Sequence, residues 1–416
     1  MKKHILAVFV SSSMLVLTAC GGGDGDTTSV IVDDGIPKNN IVNPVVRVES
    51  YTDIDSTVDT ALSDASASKS LVTYKMLGVD GAEVDATTLV FTPKTVPPVN
   101  GWPIVVWAHG TTGVADKCAP SVLGLGQTAE LIESLLDEGY VVVAPNYEGL
   151  GAPGNHPFLN LRSEAFSITD AVVAARKYLT DQLGKKVSDQ WASIGHSQGG
   201  HAVLGAAQYA SRAQLNYKGT VAIAPASNLA SILTIGEQQA STLPINYQIQ
   251  MLAQLDTYTA LIVAGMQGHN KSVTYNEVFK NDTVILAPIA EAECSSTVGV
   301  QLGTAMSIYA AGIGQGTLTG YGRLQSGFMS IPVIDTFLKK DSQPGLAPLN
   351  KKVFIYQGEA DTTVPKAATD LLIASMKANG TSASNIQYTT SAAWDHGTVY
   401  TQNYTSFVDN IDSLFQ

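Results

Sequence analysis

Short runs of β-branched and other apolar residues recur along this chain, each halted by a turn residue and most followed by a stretch with helical spacing. Pro103 to Ala108 contains Ile104-Val105-Val106-Trp107, and Val141 to Ala144 is Val-Val-Val-Ala, stopped at Pro145. Ser193 to Ser197 and Thr220 to Ala224 repeat the pattern, as do Val353 to Tyr356 and Ile386 to Thr390. These runs do not alternate with polar residues, so they predict strands buried on both faces. Between them, apolar residues recur every three or four positions. The spacing predicts helices over Thr128 to Glu138, Ser163 to Leu183, His201 to Arg212, Ala367 to Lys377 and Val399 to Phe415. An earlier pair, Leu71 to Leu77 and Ala86 to Phe91, alternates around Val79-Asp80-Gly81 and predicts a hairpin.

Strands alternating with helices imply an α/β fold with a mostly parallel central sheet flanked by helices. The alternation breaks between Ser227 and Leu349, where strand signal is weak and helix-like pieces such as Tyr247 to Met266 dominate. The expectation is a core of residues 44–226 and 350–416, with a mainly helical cap of residues 227–349 inserted between late strands. Apolar residues of that insertion, Leu252, Leu255, Tyr258, Leu261 and Met266, either line an acyl tunnel or form the cap's own core.

The N-terminus follows a different rule. Lys2 and Lys3 precede an apolar run from Ile5 to Leu17, and Leu17-Thr18-Ala19-Cys20 follows. A basic start, a short apolar core and small residues before a cut site make a signal peptide over residues 1–19. The last four residues resemble a bacterial lipobox, in which Cys20 becomes the lipidated first residue of the mature chain. Gly21 behind it resembles lipoproteins passed to the outer membrane. The expected location is therefore the bacterial cell envelope, on an outer-membrane lipid anchor, or the extracellular space. Residues 20–43 are rich in Gly, Asp and Asn and read as a flexible tether.

Cleavage removes two lysines and no acid, leaving 22 basic against 36 acidic residues where the full chain has 24 and 36, so the net charge moves from −12 to −14. That charge excludes nucleic acid as an electrostatic partner. Apolar residues make up 45% of the chain and charged ones 14%, enough apolar material for a large core. Beyond Cys20, Cys118 and Cys294 remain. In an oxidising compartment they read as one disulfide, with two buried thiols as the alternative. No Cys/His spacing suggests a metal site.

The candidate chemistry lies in Gly195-His196-Ser197-Gln198-Gly199-Gly200, between a predicted strand and a predicted helix. Gly-x-Ser-x-Gly in that context is a nucleophile elbow: a sharp turn exposes the serine at the sheet edge. A serine hydroxyl is a weak nucleophile and needs a base oriented by a carboxylate, in the chain order serine, acid, histidine. Asp361, in the loop after the Tyr356 strand, is the candidate acid, with Glu359 as its rival. His396, after the last strand, is the candidate base. His196 and His201 are too close in sequence to Ser197, His109 belongs to another loop, and His156 and His269 fall outside the order. Backbone N–H groups of Gln198 and of Thr111, or of its neighbour Thr112, are the candidate oxyanion donors.

Further motifs extend the pattern. They are Trp107 to Gly113, Cys118-Ala119-Pro120-Ser121, Gly139 to Pro145 with Tyr147 to Gly151, and Ser163-Glu164-Ala165. With the elbow and the Asp361 and His396 loops, the chain resembles the α/β-hydrolase fold, and within it the secretory lipase family of fungal lipase-A-type and bacterial exported enzymes. The resemblance implies ester or acylglycerol hydrolysis through an acyl-enzyme, a helical cap and no cofactor. It also implies a disulfide from the Cys-Ala-Pro-Ser cysteine into the cap, which Cys118 and Cys294 would satisfy. An exported serine peptidase on the same fold is the alternative, with Glu291 or Glu293 as a charged anchor for a peptide terminus. A non-catalytic binding lipoprotein is the remaining one.

Overall fold

The computed structural model describes residues 34–416; the expected signal peptide and Cys20 lie outside them. A nine-stranded sheet runs in the order β1-β2-β3-β5-β4-β6-β7-β8-β9. Its strands are β1 (Val45–Ser50), β2 (Ser66–Leu77), β3 (Glu83–Pro93), β4 (Trp102–Ala108), β5 (Val141–Pro145), β6 (Val187–His196), β7 (Asn216–Ile223), β8 (Lys352–Gly358) and β9 (Ile386–Ser391). The β1–β2, β2–β3 and β3–β5 pairs are antiparallel; every later pair is parallel.

The lack of alternation in the central strands has a direct cause. Ile104, Val106, Val141 and Val143 pack into one hydrophobic cluster, whereas Val105, Trp107, Val142 and Ala144 pack into another on the opposite face. Helices α3 (Leu161–Lys177), α4 (Gln198–Gln208) and α8 (Lys366–Ala378) cover the first face. Helices α1 (Ser56–Ala65), α2 (Thr128–Asp137) and α9 (Tyr404–Phe415) cover the second. Both faces being dry, each strand must be apolar throughout.

Between β7 and β8 the chain makes a largely helical excursion containing α5 (Leu229–Ala240), α6 (Ile245–His269) and α7 (Ser295–Ala311). It has its own apolar core, which includes Leu252, Leu255 and Leu261 and is joined from the sheet side by Val114, Phe158 and Val364. A disulfide joins Cys118, in the loop after β4, to Cys294 at the start of α7. The Ser295 N–H donates to the Thr112 carbonyl at 2.8 Å beside it.

Several boundaries differ from the sequence expectation. The helix after the elbow starts at Gln198 rather than His201, because the turn at Ser197 leads straight into it. The closing helix is two: Thr398–Thr401 and α9 are separated at Asn403, whose side chain turns back to the Val399 carbonyl. Within the stretch expected to be a tether, residues 20–43, the described part packs on the core from Asn39. At Asn39 the backbone N–H bonds Arg212 and the side-chain amide bonds Asp170, which is itself ion-paired with Arg212 at 2.7 Å. β1 and α1 were not expected at all.

Candidate active site

β6 delivers the elbow. Ser197 has φ 60° and ψ −116°, a region that costs a residue with a Cβ about 1–3 kcal/mol. The conformation is held from both sides: Ser197 N–H donates to Ile223 of β7 at 2.8 Å, and the Ala226 N–H donates to the Ser197 carbonyl at 3.2 Å. Gly195 and Gly199 make the turn possible, since a Cβ on Gly195 would strike the Gly199 carbonyl and one on Gly199 would strike that of Ala108.

Parallel strands place their following loops at one edge of the sheet, and β8 and β9 bring their loops to the elbow. Ser197 Oγ lies 2.9 Å from His396 Nε2, and His396 Nδ1 lies 2.7 Å from Asp361 Oδ2. A carboxylate only accepts, so Nδ1 carries the proton in the neutral ring and Nε2 turns its lone pair to the serine. Asp361 is 4% exposed yet fully partnered: Oδ1 accepts from the Thr363 and Val364 N–H groups, and Oδ2 also accepts from the Gln357 amide. The rival Glu359 instead accepts from the Thr390 hydroxyl at the surface. Asp395 is exposed and occupied by the Gly397 and Thr398 N–H groups.

The three oxyanion candidates, Gln198, Thr111 and Thr112, each border a cavity with Ser197. Gln198 is the first residue of α4, so its N–H has no helical carbonyl to meet. Thr111 borders every cavity that reaches Ser197, whereas Thr112 borders one.

Sequence reasoning missed a polar layer beneath the elbow. The Gln198 side chain donates to Glu164 Oε1 at 2.8 Å and to His156 Nε2 at 2.7 Å. Glu164 Oε2 accepts from His201 Nδ1, and His201 Nε2 donates to the Ser342 carbonyl at 3.0 Å. Glu164, His156 and His201 are fully buried. Burial alone would raise the Glu164 pKa, but the His201 ring and its hydrogen bond, with the His156 ring nearby, outweigh it and hold it at about 2. The signal was present in Ser163-Glu164-Ala165, but nothing in sequence tied it to the elbow.

His196, also set aside on sequence, sits behind His396. Its Nε2 donates to the His396 carbonyl at 2.8 Å, and its ring lies tilted against that of His396 and stacked on that of Tyr400. Burial, then the neighbouring His396, push its pKa down to about 3. His109 stacks on Tyr147 at 4.3 Å, and burial lowers its pKa to about 4.

Two cavities open on Ser197. One is an apolar slot of about 40 Å³ against the insertion, bordered by Gln198, Leu229, Leu233, Leu255 and Ile262. Leu233 and Ile262 separate it from a further apolar pocket of about 10 Å³ that reaches Met266 and Phe328. The other cavity is about 410 Å³ and is bordered by Trp107, Thr112, Leu125, His196 and His396. Tyr258 borders both, and with Thr111 it also borders an outer cleft of about 900 Å³ between α6 and α7. Of the five apolar residues singled out in the insertion, Leu255 and Tyr258 border the slot and Met266 the pocket beyond it. Leu252 and Leu261 belong to the insertion's core.

Glu293 pairs with Lys117 at 3.1 Å on the surface, and neither it nor Glu291 borders these cavities. Among the described residues, no group of three His, Cys, Asp or Glu side chains could hold a metal ion. No helix among them is long and apolar enough to cross a membrane.

Residues 121–404 match the secretory lipase family. No curated protein matches the chain in sequence. Among solved structures it is similar to lipase A of Candida antarctica in its closed state, at 16% identity and TM-score 0.66, over 92% of this chain and 83% of that one. It is also similar to the rice cell wall degrading esterase LipA of Xanthomonas oryzae, at 20% identity and TM-score 0.66, over 90% of this chain and 98% of that one.

Proposed function

The chain belongs to the secretory lipase family, and on that premise we propose that it hydrolyses carboxylic esters through a serine acyl-enzyme. The single observation that carries the mechanism is the unbroken hydrogen-bond chain Ser197–His396–Asp361, whose serine borders two cavities. Ser197 Oγ attacks the ester carbonyl carbon as its proton passes to His396 Nε2. Asp361 holds the ring in the required tautomer and stabilises the imidazolium that forms. The N–H groups of Gln198 and Thr111 receive the negative charge on the carbonyl oxygen, aided by the positive end of α4. Collapse breaks the bond to the alcohol oxygen, which takes the proton from His396. Water, deprotonated by the same nitrogen, then attacks the acyl carbon and frees the acid and Ser197.

The apolar slot lies on the Gln198 side of the serine, away from His396, and takes the acyl group. Its small volume favours short acyl chains. The lipobox-like segment supports an exported enzyme tethered by lipid on Cys20; Cys20→Ala would release it from the membrane fraction. No charged group borders the cavities where a peptide terminus would lie, so the ester reading stands ahead of the peptidase one.

The test is hydrolysis of p-nitrophenyl esters from acetate to palmitate by the protein and by Ser197→Ala. Turnover by the parent chain and its loss in the folded variant is the expected result. No turnover of any ester by folded protein would overturn the proposal.

A further inference from the structure

We propose that the 410 Å³ cavity receives the alcohol half of the ester and that His196 Nδ1 there accepts a hydrogen bond from a second hydroxyl of that alcohol, so that esters of vicinal diols and polyols are preferred over esters of simple alkanols. The inference rests on the serine-esterase reading above and goes beyond it by naming the alcohol class.

The assignment of sides follows from proton transfer. The group that protonates the leaving oxygen must face it, so the alcohol occupies the cavity that His396 borders. His396 borders the 410 Å³ cavity and not the apolar slot, which leaves the slot to the acyl chain. The larger space therefore belongs to the alcohol.

The polarity of that space is set by a tautomer. His196 Nε2 sits 2.8 Å from a backbone carbonyl, which can only accept, so Nε2 bears the proton. The ring centroid lies 4.7 Å from that of His396, which becomes cationic at each turnover, so a second positive charge beside it is disfavoured and His196 stays neutral. Burial works in the same direction. A neutral ring with Nε2–H has a bare acceptor at Nδ1. Among the described residues nothing donates to that atom, and it is not among the unpartnered atoms sealed in the interior. His196 and His396 border the same cavity, so an alcohol that takes its proton from His396 is within the space that His196 lines. A hydroxyl on the carbon adjacent to the ester linkage is the donor that matches. A site built to hydrogen-bond a substrate hydroxyl discriminates against the analogue that lacks it, because its own polar group is left unpaired.

The experiment compares butyrate esters that share one acyl group and differ only in the alcohol: propyl butyrate, 2-hydroxypropyl butyrate and glycerol 1-monobutyrate. The expected result is a kcat/KM about five- to tenfold higher for the two hydroxylated esters, the size of one neutral hydrogen bond. In His196→Phe that ratio falls to within about twofold of unity. Loss of the Nε2–H contact to His396 in the variant slows all three esters alike and cancels in the ratio, so a merely structural role for His196 would leave the ratio intact. Equal wild-type rates across the series would overturn the inference even if the variant does not fold, as would an undiminished ratio in the variant. Silence of the propyl ester and of every other ester would instead refute the esterase reading, and this inference with it.

Discussion

Leu233→Ala should lengthen the acyl chain the enzyme prefers. The apolar slot at Ser197 and the pocket beyond it are both bordered by Leu233 and Ile262, so these two side chains form the wall between them. Truncation to alanine removes the carbons beyond Cβ and joins the spaces, making room for about three more acyl carbons. Each methylene taken out of water contributes about 0.8 kcal/mol, so three contribute about 2.4 kcal/mol. That corresponds to about a fiftyfold rise in kcat/KM for an ester three carbons longer than the wild-type optimum, less whatever is lost in ordering the chain. Leu233 is 7% exposed, so the variant should also lose about 2–3 kcal/mol of stability, the lower end for Leu→Ala because the site already borders a void. The assay is a p-nitrophenyl ester series from C2 to C16, with denaturant unfolding alongside. Leu252→Ala, in the insertion's core but away from the slot, is the control and should keep the wild-type profile. An unchanged optimum in folded Leu233→Ala, or the same shift in Leu252→Ala, would refute the assignment of the slot.

Asp361→Asn should lower kcat by about 10³- to 10⁴-fold with little change in KM, since the amide favours the wrong His396 tautomer; an effect confined to KM would count against the assigned role. Removing the disulfide as Cys118→Ser with Cys294→Ser should cost about 2–5 kcal/mol, because it closes a loop of sequence separation 176; unfolding with and without reductant reads this out. The Glu164 pKa is depressed, so its contribution to stability is complete above about pH 4.5 and is lost as pH falls towards 2. The loss should be on the order of 3 kcal/mol over that window. Glu164→Gln should flatten the acid limb of the stability curve and cost about 3–5 kcal/mol at pH 7, where His201 loses its buried partner; an unaltered acid limb would count against the network.

What could be read before the structure was whatever the sheet dictates. Doubly buried strands must be apolar throughout, so β4 to β8 stood out, and the loops that follow parallel strands must share an edge, so Ser197, Asp361 and His396 could be brought together by chain order alone. β1 escaped because it is an edge strand with a mostly exposed, charged sequence, and α1 because Leu62 is its one fully covered residue. The Glu164–Gln198 contact escaped for another reason: buried polar partners far apart in sequence carry no periodic signature. Which apolar residues of the insertion border the slot was equally hidden, since that depends on how α5 and α6 seat against Phe158 and Val364 rather than on their own spacing.

The polar layer under the elbow is better understood as the support for a strained residue than as a stabilising feature. Burying Glu164, His156 and His201 carries a desolvation cost that an apolar layer would avoid. What the layer provides is orientation. Ser197 holds a left-handed backbone between the Ile223 carbonyl on one side and the Ala226 N–H on the other. The next residue, Gln198, is fixed through its side chain to Glu164 and His156. The N–H proposed to meet the oxyanion belongs to that same residue, so anchoring its side chain also aims its backbone. The sheet side of the site is thereby over-determined, with Ser197, Gln198 and Asp361 each held by at least two hydrogen bonds. The insertion side presents mostly aliphatic residues to the slot and can change its shape without moving the reacting atoms. Substitutions beneath the elbow should therefore act on kcat, and substitutions in α5 and α6 on the choice of ester.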